Sequence, residues 1–364
     1  VGSEMCIRDR AAGAQAVATA TGKEIPASLQ AAMSGVQAGE SHGAIAEMLN
    51  GGSNGMLILG QAAMAHHQAS WLRQLSRWIA DASGSVLNML PNGGNTTGAA
   101  MAGALPGQGV GGSEAERGLN VREMLATPAK TYLLWDIEPG FDMANPAMAN
   151  AALASAETVV AVSSYASDEL KASADVLLPL APLAESEGRY YAYDGQSFDV
   201  DPSVRAAGQS RPGWKILRRL GAELELDGFS QVDIGSVREE MQAGIGDAGS
   251  TQAEVELSVP AGGDDLHRVG EVAMYSADAL CRRSDYLQQT VHADNAFVGL
   301  SPDDAGRKGL VDGHDVKVSQ GEGQVILPVR ICNELPAGAV WVKCATDVSN
   351  ELGDSFGPIS VEAA

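Results

Sequence analysis

The sequence predicts an α/β protein: a parallel-sheet domain with helices around it, followed by a small C-terminal β-barrel. Two patterns carry that expectation. Up to about residue 226, short apolar runs alternate with stretches of helical period. Beyond residue 266 the period switches toward two, with glycine-bearing turns between the runs. Composition agrees: hydrophobic residues make up 45% and charged residues 19%, a globular rather than disordered balance. With 43 Gly and only 5% aromatics, the core must be built from Ala, Val, Leu and Met around many tight turns.

Taken in order, Gly55–Gly60 holds the first short strand, Met56-Leu57-Ile58-Leu59, bounded by glycines. Gln61–Ala80 reads as a long helix, with Met64, Trp71, Leu72, Leu75, Trp78 and Ile79 at helical spacing. Ser85–Leu90 is the next strand and Tyr132–Ile137 another, with a helix over Asn145–Ala154. Thr158–Ser163 is a strand, Asp168–Ser173 a helix and Asp175–Leu178 a strand. Strands separated by helices in this way predict a parallel sheet covered on both faces. Met143 and Met148 are expected in its core. Trp214–Leu226 is an amphipathic helix started by Pro212, and Ser236 with Glu239 fits a capping box. Ala243–Asp265, rich in Gly, Ser, Ala and acid, reads as a linker. Then come Val316-Lys317-Val318, Val325–Val329 and Val340-Trp341-Val342, the strands of a compact β domain.

The expected division is therefore an α/β domain over residues 11–245, a linker over 246–265 and a barrel over 266–364. The opening, Val1–Arg10, lacks an initiator Met and turns abruptly Ala-rich at residue 11. It reads as a junction artefact ahead of a domain truncated at its N-terminus.

With 24 Lys+Arg against 46 Asp+Glu, the formal charge is −22. Such a chain repels phosphate backbones and anionic headgroups, which argues against nucleic-acid partners and electrostatic membrane docking. No stretch has the roughly 20 mostly apolar residues of a spanning helix, and no apolar h-region opens the chain. The four cysteines, Cys6, Cys281, Cys332 and Cys344, are widely spaced with no CxxC pair. That excludes a disulfide framework and a cysteine-ligated zinc or iron–sulfur site within this chain, and fits a reducing compartment.

Four local patterns invite a chemical reading. Gly107-Gln108-Gly109-Val110-Gly111-Gly112 satisfies G-x-G-x-x-G, but Ala104-Leu105-Pro106 is no strand, so a Gly-rich loop is expected instead of a dinucleotide fingerprint. His66-His67 falls inside the expected helix, where adjacent side chains diverge by about 100° and cannot share a metal. The Asn-rich turn Pro91–Gly98 follows a strand, the position where α/β proteins offer backbone amides to ligands. Glu185, Glu187, Asp194 and Asp201 gather around Arg189 and three tyrosines. Paired carboxylates can do acid–base work, but no nucleophile accompanies them, and a solvated loop is the expected reading.

The order of motifs resembles the molybdopterin oxidoreductase family. Ala174-Asp175-Val176-Leu177-Leu178-Pro179, then Glu185 and Gly188, then Gly208–Trp214 opening a helix, match its A-D-V-x-L-P strand, E-x-x-G loop and Trp-headed helix. Pro302–Ala305, Gly309–Gly313, Val316–Val318 and Leu335–Gly338 resemble its C-terminal double-psi β-barrel. More narrowly, the chain is similar to the C-terminal half of the G subunit of bacterial NADH-quinone oxidoreductase, respiratory complex I. Gly55–Gly60, Asn95–Pro106, Tyr275–Arg283 with Leu287, Gln288 and Thr290, and the ending Leu352-Gly353 and Gly357-Pro358-Ile359 carry that likeness.

The resemblance implies a subunit of an oxidoreductase whose own active centre lies elsewhere. Iron–sulfur clusters would sit in further N-terminal domains, and this region would hold no cofactor. Partners would be other peripheral-arm subunits, with the assembly on the cytoplasmic side of the bacterial inner membrane. Two departures from the family loop agree with an inactive scaffold: Arg189 where Gly-Thr is common, and Tyr193-Asp194-Gly195-Gln196 where Asn-x-Glu-Gly-Arg is usual. No residue of this chain carries over as catalytic, cofactor-binding or metal-binding. The alternative is a C-terminal fragment of a molybdopterin enzyme of formate dehydrogenase or nitrate reductase type, with Asn92–Gly98 and Ser301–Ala305 against the dinucleotide and the metal ligand upstream.

Overall fold

The computed structural model describes residues 3–66, 68–91, 93–245, 266–293 and 296–364. By contact these form two compact units: one holds the residues up to 91 with 266–277 and 281–364, the other 93–245 with 278–280. The segment expected as a linker, 246–265, lies outside the described residues.

The first unit begins with α1 (Ser3–Thr21), α2 (Glu40–Gly51), β1 (Met56–Leu59), α3 (Gln61–Ala65), α4 (Ala69–Ser83) and β2 (Val86–Met89). β1 and β2 pair in parallel, from Met56↔Val86 to Leu59↔Met89. One stripe of α4, formed by Trp71, Leu72, Leu75 and Ile79, is buried together with Ala11, Ala14 and Val17 of α1. Alanine side chains on α1 let the two helices approach closely enough to seat the indole of Trp71. Gly84 adopts φ +73° and donates its N–H to Ala80, which ends α4 in a left-handed cap.

The long helix expected over Gln61–Ala80 is broken. His66, with φ −63° and ψ 140°, leaves helical geometry between α3 and α4. Its ring is 6% exposed, accepts the Gln68 N–H at 3.0 Å on Nδ1, and stacks 5.8 Å from Phe356. The divergence argument for His66-His67 therefore fails, because His66 is not on a helix; His67 lies outside the described residues. His66 has a structural task, at the start of α4 and against the barrel.

The second unit runs through α5 (Thr96–Met101), α6 (Val121–Ala126), β3 (Thr131–Trp135), α7 (Pro139–Asp142), α8 (Pro146–Ala154), β4 (Thr158–Ser163), α9 (Asp168–Ser173), β5 (Val176–Pro179), β6 (Gly188–Tyr191), β7 (Ser197–Val200), α10 (Gly213–Glu223) and α11 (Ile234–Ile245). β3, β4 and β5 form a parallel sheet in that order. Its buried face meets α8 and α9 through Tyr132, Leu134, Val159, Ala161, Leu153 and Leu170, with Met143 and Met148 half-buried against it. Helix starts follow local chemistry: Asn120, Asn145 and Ser167 each accept an amide hydrogen bond from the first turn of α6, α8 and α9. At α11 the cap is not Ser236 as the sequence suggests; Asp233 accepts from the Ser236 N–H at 2.8 Å and its hydroxyl at 2.8 Å. The strands of the first part thus make two separate parallel sheets instead of one.

The first unit resumes with β8 (His267–Val269). Next come α12 (Ala279–Arg282), α13 (Asp285–Gln288), β9 (Val298–Leu300), α14 (Pro302–Lys308), β10 (Asp315–Gln320), β11 (Gly323–Ile331), β12 (Ala339–Trp341), β13 (Phe356–Pro358) and β14 (Ser360–Ala363). Seven strands curl into a half-barrel of order β13-β8-β12-β9-β11-β10-β14. β9–β11 and β8–β12 are parallel and the other pairs antiparallel. The period of two puts Val316 and Val318 of β10 and Val325, Leu327 and Val329 of β11 inside, with Val340 and Val361.

Two charged side chains are buried inside this β unit. Asp304, 1% exposed, accepts the Ser301 hydroxyl at 2.7 Å and the Gly338 N–H at 2.8 Å, and pairs with Arg307. It fastens α14 to the turn before β12. Burial alone would raise its pKa, but the hydroxyl, the amide and the guanidinium overcome that and hold it below the usual carboxylate value. A depressed folded pKa contributes stability that is complete above the unfolded value of about 3.9 and is lost as pH falls through the folded one. Asp304→Asn is accordingly expected to cost about 2 kcal/mol at pH 7. In urea titrations its deficit against the parent protein should shrink below pH 4; a deficit constant from pH 7 to pH 3 would contradict this account.

Candidate functional site

The carboxylates singled out in the sequence flank a β-hairpin, with Asp194 in its turn. β6 and β7 pair antiparallel, with Arg189 directly opposite Asp199. Asp194-Gly195 supplies the turn, Gly195 at φ +85°, a pairing of residue types that marks hairpins in a sequence. Arg189 grips Asp199 with two hydrogen bonds, Nε to Oδ1 at 2.7 Å and Nη2 to Oδ2 at 3.0 Å. That bond lowers the Asp199 pKa and raises that of Arg189. Arg238 of α11 reaches the same hairpin, donating to the carbonyls of Gly188 at 2.8 Å and Val200 at 3.2 Å. Asp199 and Arg238 are thus partners the sequence reading missed; only the hairpin register reveals them.

The four acidic residues do not converge. Glu185 accepts the Ala207 N–H at 2.9 Å, and Glu187 accepts the Trp214 indole N–H at 2.8 Å with Lys215 3.8 Å away. Asp194 holds the turn through Gln196, and Asp201 is exposed. Glu185 and Glu187 pin residues 202–215 around an open groove of about 490 Å³, also lined by Arg205, Arg211 and Lys215. Lys215 lies 5.1 Å over the Trp214 ring, and Arg211 donates to the Ser210 carbonyl at 2.7 Å.

The asparagine turn feeds the same hairpin. Asn95 stands at the N-cap of α5 but makes no cap hydrogen bond. Its side-chain amide instead donates to the Arg189 carbonyl at 3.0 Å and accepts the Tyr191 N–H at 2.9 Å. It pairs with β6 as a neighbouring strand would. Thr96 Oγ1 takes the Gly93 N–H at 3.1 Å. In this turn the Asn95 side-chain amide and the Thr96 hydroxyl are therefore spent on the protein's own groups. Asn92 lies outside the described residues.

The glycine run at 107–112 forms a turn closed by the Gly109 N–H to the Ser113 carbonyl at 2.8 Å. A Cβ at Gly111 would sit 2.6 Å from the Ile245 carbonyl, so this glycine is needed for contact with α11. No strand precedes it and a three-residue 3₁₀ turn, not an α-helix, opens within it. Among the described residues, no three His, Cys, Asp or Glu side chains come together as a metal site.

The order of the parallel sheet, the Glu185 loop and the Trp214 helix is matched over residues 13–223 by the family model described as Molybdopterin oxidoreductase. The chain belongs to the molybdopterin oxidoreductase family. A second model, described as Molydopterin dinucleotide binding domain, matches residues 273–360, which hold most of the curled β-sheet. The chain is similar to the G subunits of NADH-quinone oxidoreductase from Mycobacterium bovis and from Mycobacterium tuberculosis. Each is 29% identical over 322 residues, covering 77% of this chain and 38% of the relative. The chain thus spans less than two-fifths of the length of those relatives. Among solved structures, acetylene hydratase from Pelobacter acetylenicus aligns with TM-score 0.45 and 16% identity, over 66% of this chain and 46% of that one. In the loop after Gly188, Arg189 is committed to the Asp199 pair.

Proposed function

We propose that this chain is the structural, cofactor-free part of the G subunit of an NADH-quinone oxidoreductase. It would support electron transfer from NADH to quinone without an active centre of its own. The likeness to two G subunits supports the assignment. The carrying observation for the cofactor-free role is the fate of the motif side chains. Glu185, Glu187, Asn95 and Arg189 are each engaged with the protein's own groups. A dinucleotide's phosphates need cations and unspent amides. The groove sets two carboxylates among three cations, of which Lys215 stands beside Glu187 and Arg211 donates to a carbonyl. On this reading no catalytic, cofactor or metal role is assigned to any of them.

The partners on this reading are the other subunits of the peripheral arm. The assembly would stand on the cytoplasmic side of the bacterial inner membrane, its iron–sulfur clusters in domains of the parent chain that precede this region. No described helix is long and apolar enough to cross a membrane. The family matches, 13–223 and 273–360, fall on either side of 246–265. That supports the division into an α/β domain over 11–245 and a barrel domain over 266–364.

The dinucleotide-domain match favours a second reading, a fragment of a molybdopterin-dependent oxidoreductase. Metal analysis and pterin fluorescence of the purified full-length parent separate the two. The expected result is molybdenum far below one atom per chain, no oxidised-pterin emission, and co-purification with NADH-quinone reductase activity. Stoichiometric molybdenum with pterin emission would overturn the cofactor-free reading.

A further inference from the structure

The charges of this chain are unevenly spread. In a sequence of net charge −22, five of the 24 Lys and Arg are Arg205, Arg211, Lys215, Arg218 and Arg219, and no Asp or Glu lies between Asp201 and Glu223. The fold gathers these cations on one surface of the second unit. Arg205, Arg211 and Lys215 line the groove of about 490 Å³. Arg218 and Arg219 follow Lys215 by three and four residues on α10, which puts all three on the same side of that helix. All five cations are exposed.

Three of the five have partners. Lys215 stands 3.8 Å from Glu187, Arg219 pairs with Glu223, and Arg211 donates to the Ser210 carbonyl at 2.7 Å. Arg205 and Arg218 differ: among the described residues, neither makes an ion pair or a hydrogen bond. The two acids of the groove are already spent, Glu185 on the Ala207 amide and Glu187 on the Trp214 indole. Val204, next to Arg205, is 56% exposed in the groove wall. The surface thus leaves two guanidiniums and an apolar side chain in water, inside the one stretch of the chain from which acids are absent for twenty residues.

We propose that this surface docks an acidic segment of a partner polypeptide, its carboxylates on Arg205 and Arg218 and an apolar side chain on Val204. Charge complementarity selects the acid. Each free guanidinium presents a planar fork of N–H donors that a carboxylate can take in bidentate geometry. Extent selects a polypeptide. Exposed charges are screened beyond about 8 Å at physiological ionic strength, so a short segment lying on the groove and α10 feels chiefly these five cations. A duplex or a bilayer reaches past them and meets the surrounding excess of acid. A small free anion meets one exposed guanidinium at a time, a contact worth only about 0–1 kcal/mol, and leaves Val204 in water. A segment that carries several carboxylates adds such contacts and covers Val204 as well. The proposal does not need the respiratory assignment, since it follows from this surface alone.

The test is photo-cross-linking in the full-length parent protein, in its own cells, with p-benzoyl-phenylalanine in place of Val204. We expect one cross-linked polypeptide, attached within a few residues of two or more Asp or Glu. Arg205→Glu and Arg218→Glu should each lower the yield several-fold, and together about tenfold or more. Thermal unfolding should stay unchanged, because both side chains are exposed and unpaired. Lys308→Glu makes the same change of net charge at another exposed cation and should leave the yield as it was. Reversing the partner's acidic residues to Lys should restore the yield with the double reversal. A cross-link that survives the double reversal, an equal loss with Lys308→Glu, attachment to a basic or uncharged segment, to lipid or to nucleic acid, or no cross-link at all overturns the proposal. Co-purification of NADH-quinone oxidoreductase subunits is scored in the same samples. Subunits present without a Val204 cross-link would refute this docking alone. A charge-dependent cross-link outside any such complex would refute the respiratory assignment alone.

Discussion

Arg268→Met is expected to cost on the order of 4 kcal/mol and to strip the barrel of most of its protection. Arg268 is 1% exposed. Its guanidinium donates to the carbonyls of Val342 at 3.1 Å, Lys343 at 3.3 Å, Gly353 at 3.4 Å and Asp354 at 3.3 Å, and to Gln320 Oε1 at 3.1 Å. One side chain on β8 thus joins the segment after β12, the turn before β13 and the end of β10. Burial pushes its pKa down to about 10, so it is still charged at neutral pH. Replacing a buried ion pair by apolar groups can be neutral or stabilising, but only when both partners are replaced. Here four of the five acceptors are main-chain carbonyls, which no substitution removes. Each buried acceptor left unsatisfied costs about 1–3 kcal/mol. A loss of about 4 kcal/mol is about a thousandfold in the opening equilibrium, readable as faster amide exchange at Val316, Val318 and Val340. Arg268→Lys keeps the charge but offers a point donor in place of a fork, and should recover only part of the loss. A Met variant within about 1 kcal/mol of the parent protein would show that this network does not hold the sheet.

Neither Arg268 nor Asp304 stands out in the sequence, and the reason is physical. The partners of Arg268, and the Gly338 amide that Asp304 accepts, lie far along the chain and are brought together only by the curled sheet. Local signals fared differently. The strand Thr158–Ser163 and the helix Asp168–Ser173 match their expected limits. Their apolar spacing and the Ser167 cap lie within a few residues. The β strands after residue 315 were legible because alternation is intrinsic to a half-buried strand. The failures mark tertiary override. Residues 61–80 carry a continuous helical period, yet His66 breaks it in a segment whose ring packs on Phe356. At the candidate site the Asp194-Gly195 turn was a readable hairpin signal that the cluster of acids masked. The roles of Glu185 and Glu187 were not readable, because a carboxylate pinned to an amide and an indole has the same sequence as one waiting for a proton.

Trp71→Ala is expected to cost about 3–5 kcal/mol, the range for deleting a buried large aromatic side chain, and to confine that loss to the N-terminal helices. Trp71 is 2% exposed and is the largest fully buried side chain among the described residues. It shares its core with Leu72, Leu75, Ile79, Ala14 and Val17. Truncation leaves a cavity that α1 cannot fill, since Ala11 and Ala14 offer only methyl groups across from it. Trp71→Phe keeps a ring there and should cost roughly half as much. The confinement follows from separate cores, since the residues around Trp71 and those inside the barrel form two distinct clusters. The ring contact between His66 and Phe356 links the two parts, and an aromatic pair is worth about 0.5–1.5 kcal/mol beyond its buried area. Such a contact cannot transmit several kcal/mol. Hydrogen exchange on the Trp71→Ala protein should therefore show amides of α1 and α4 opening faster, while those of β10 and β11 keep their rates. Equal acceleration in the barrel would mean that the two parts of this unit unfold as one cooperative body, with a coupling that the His66–Phe356 contact does not account for.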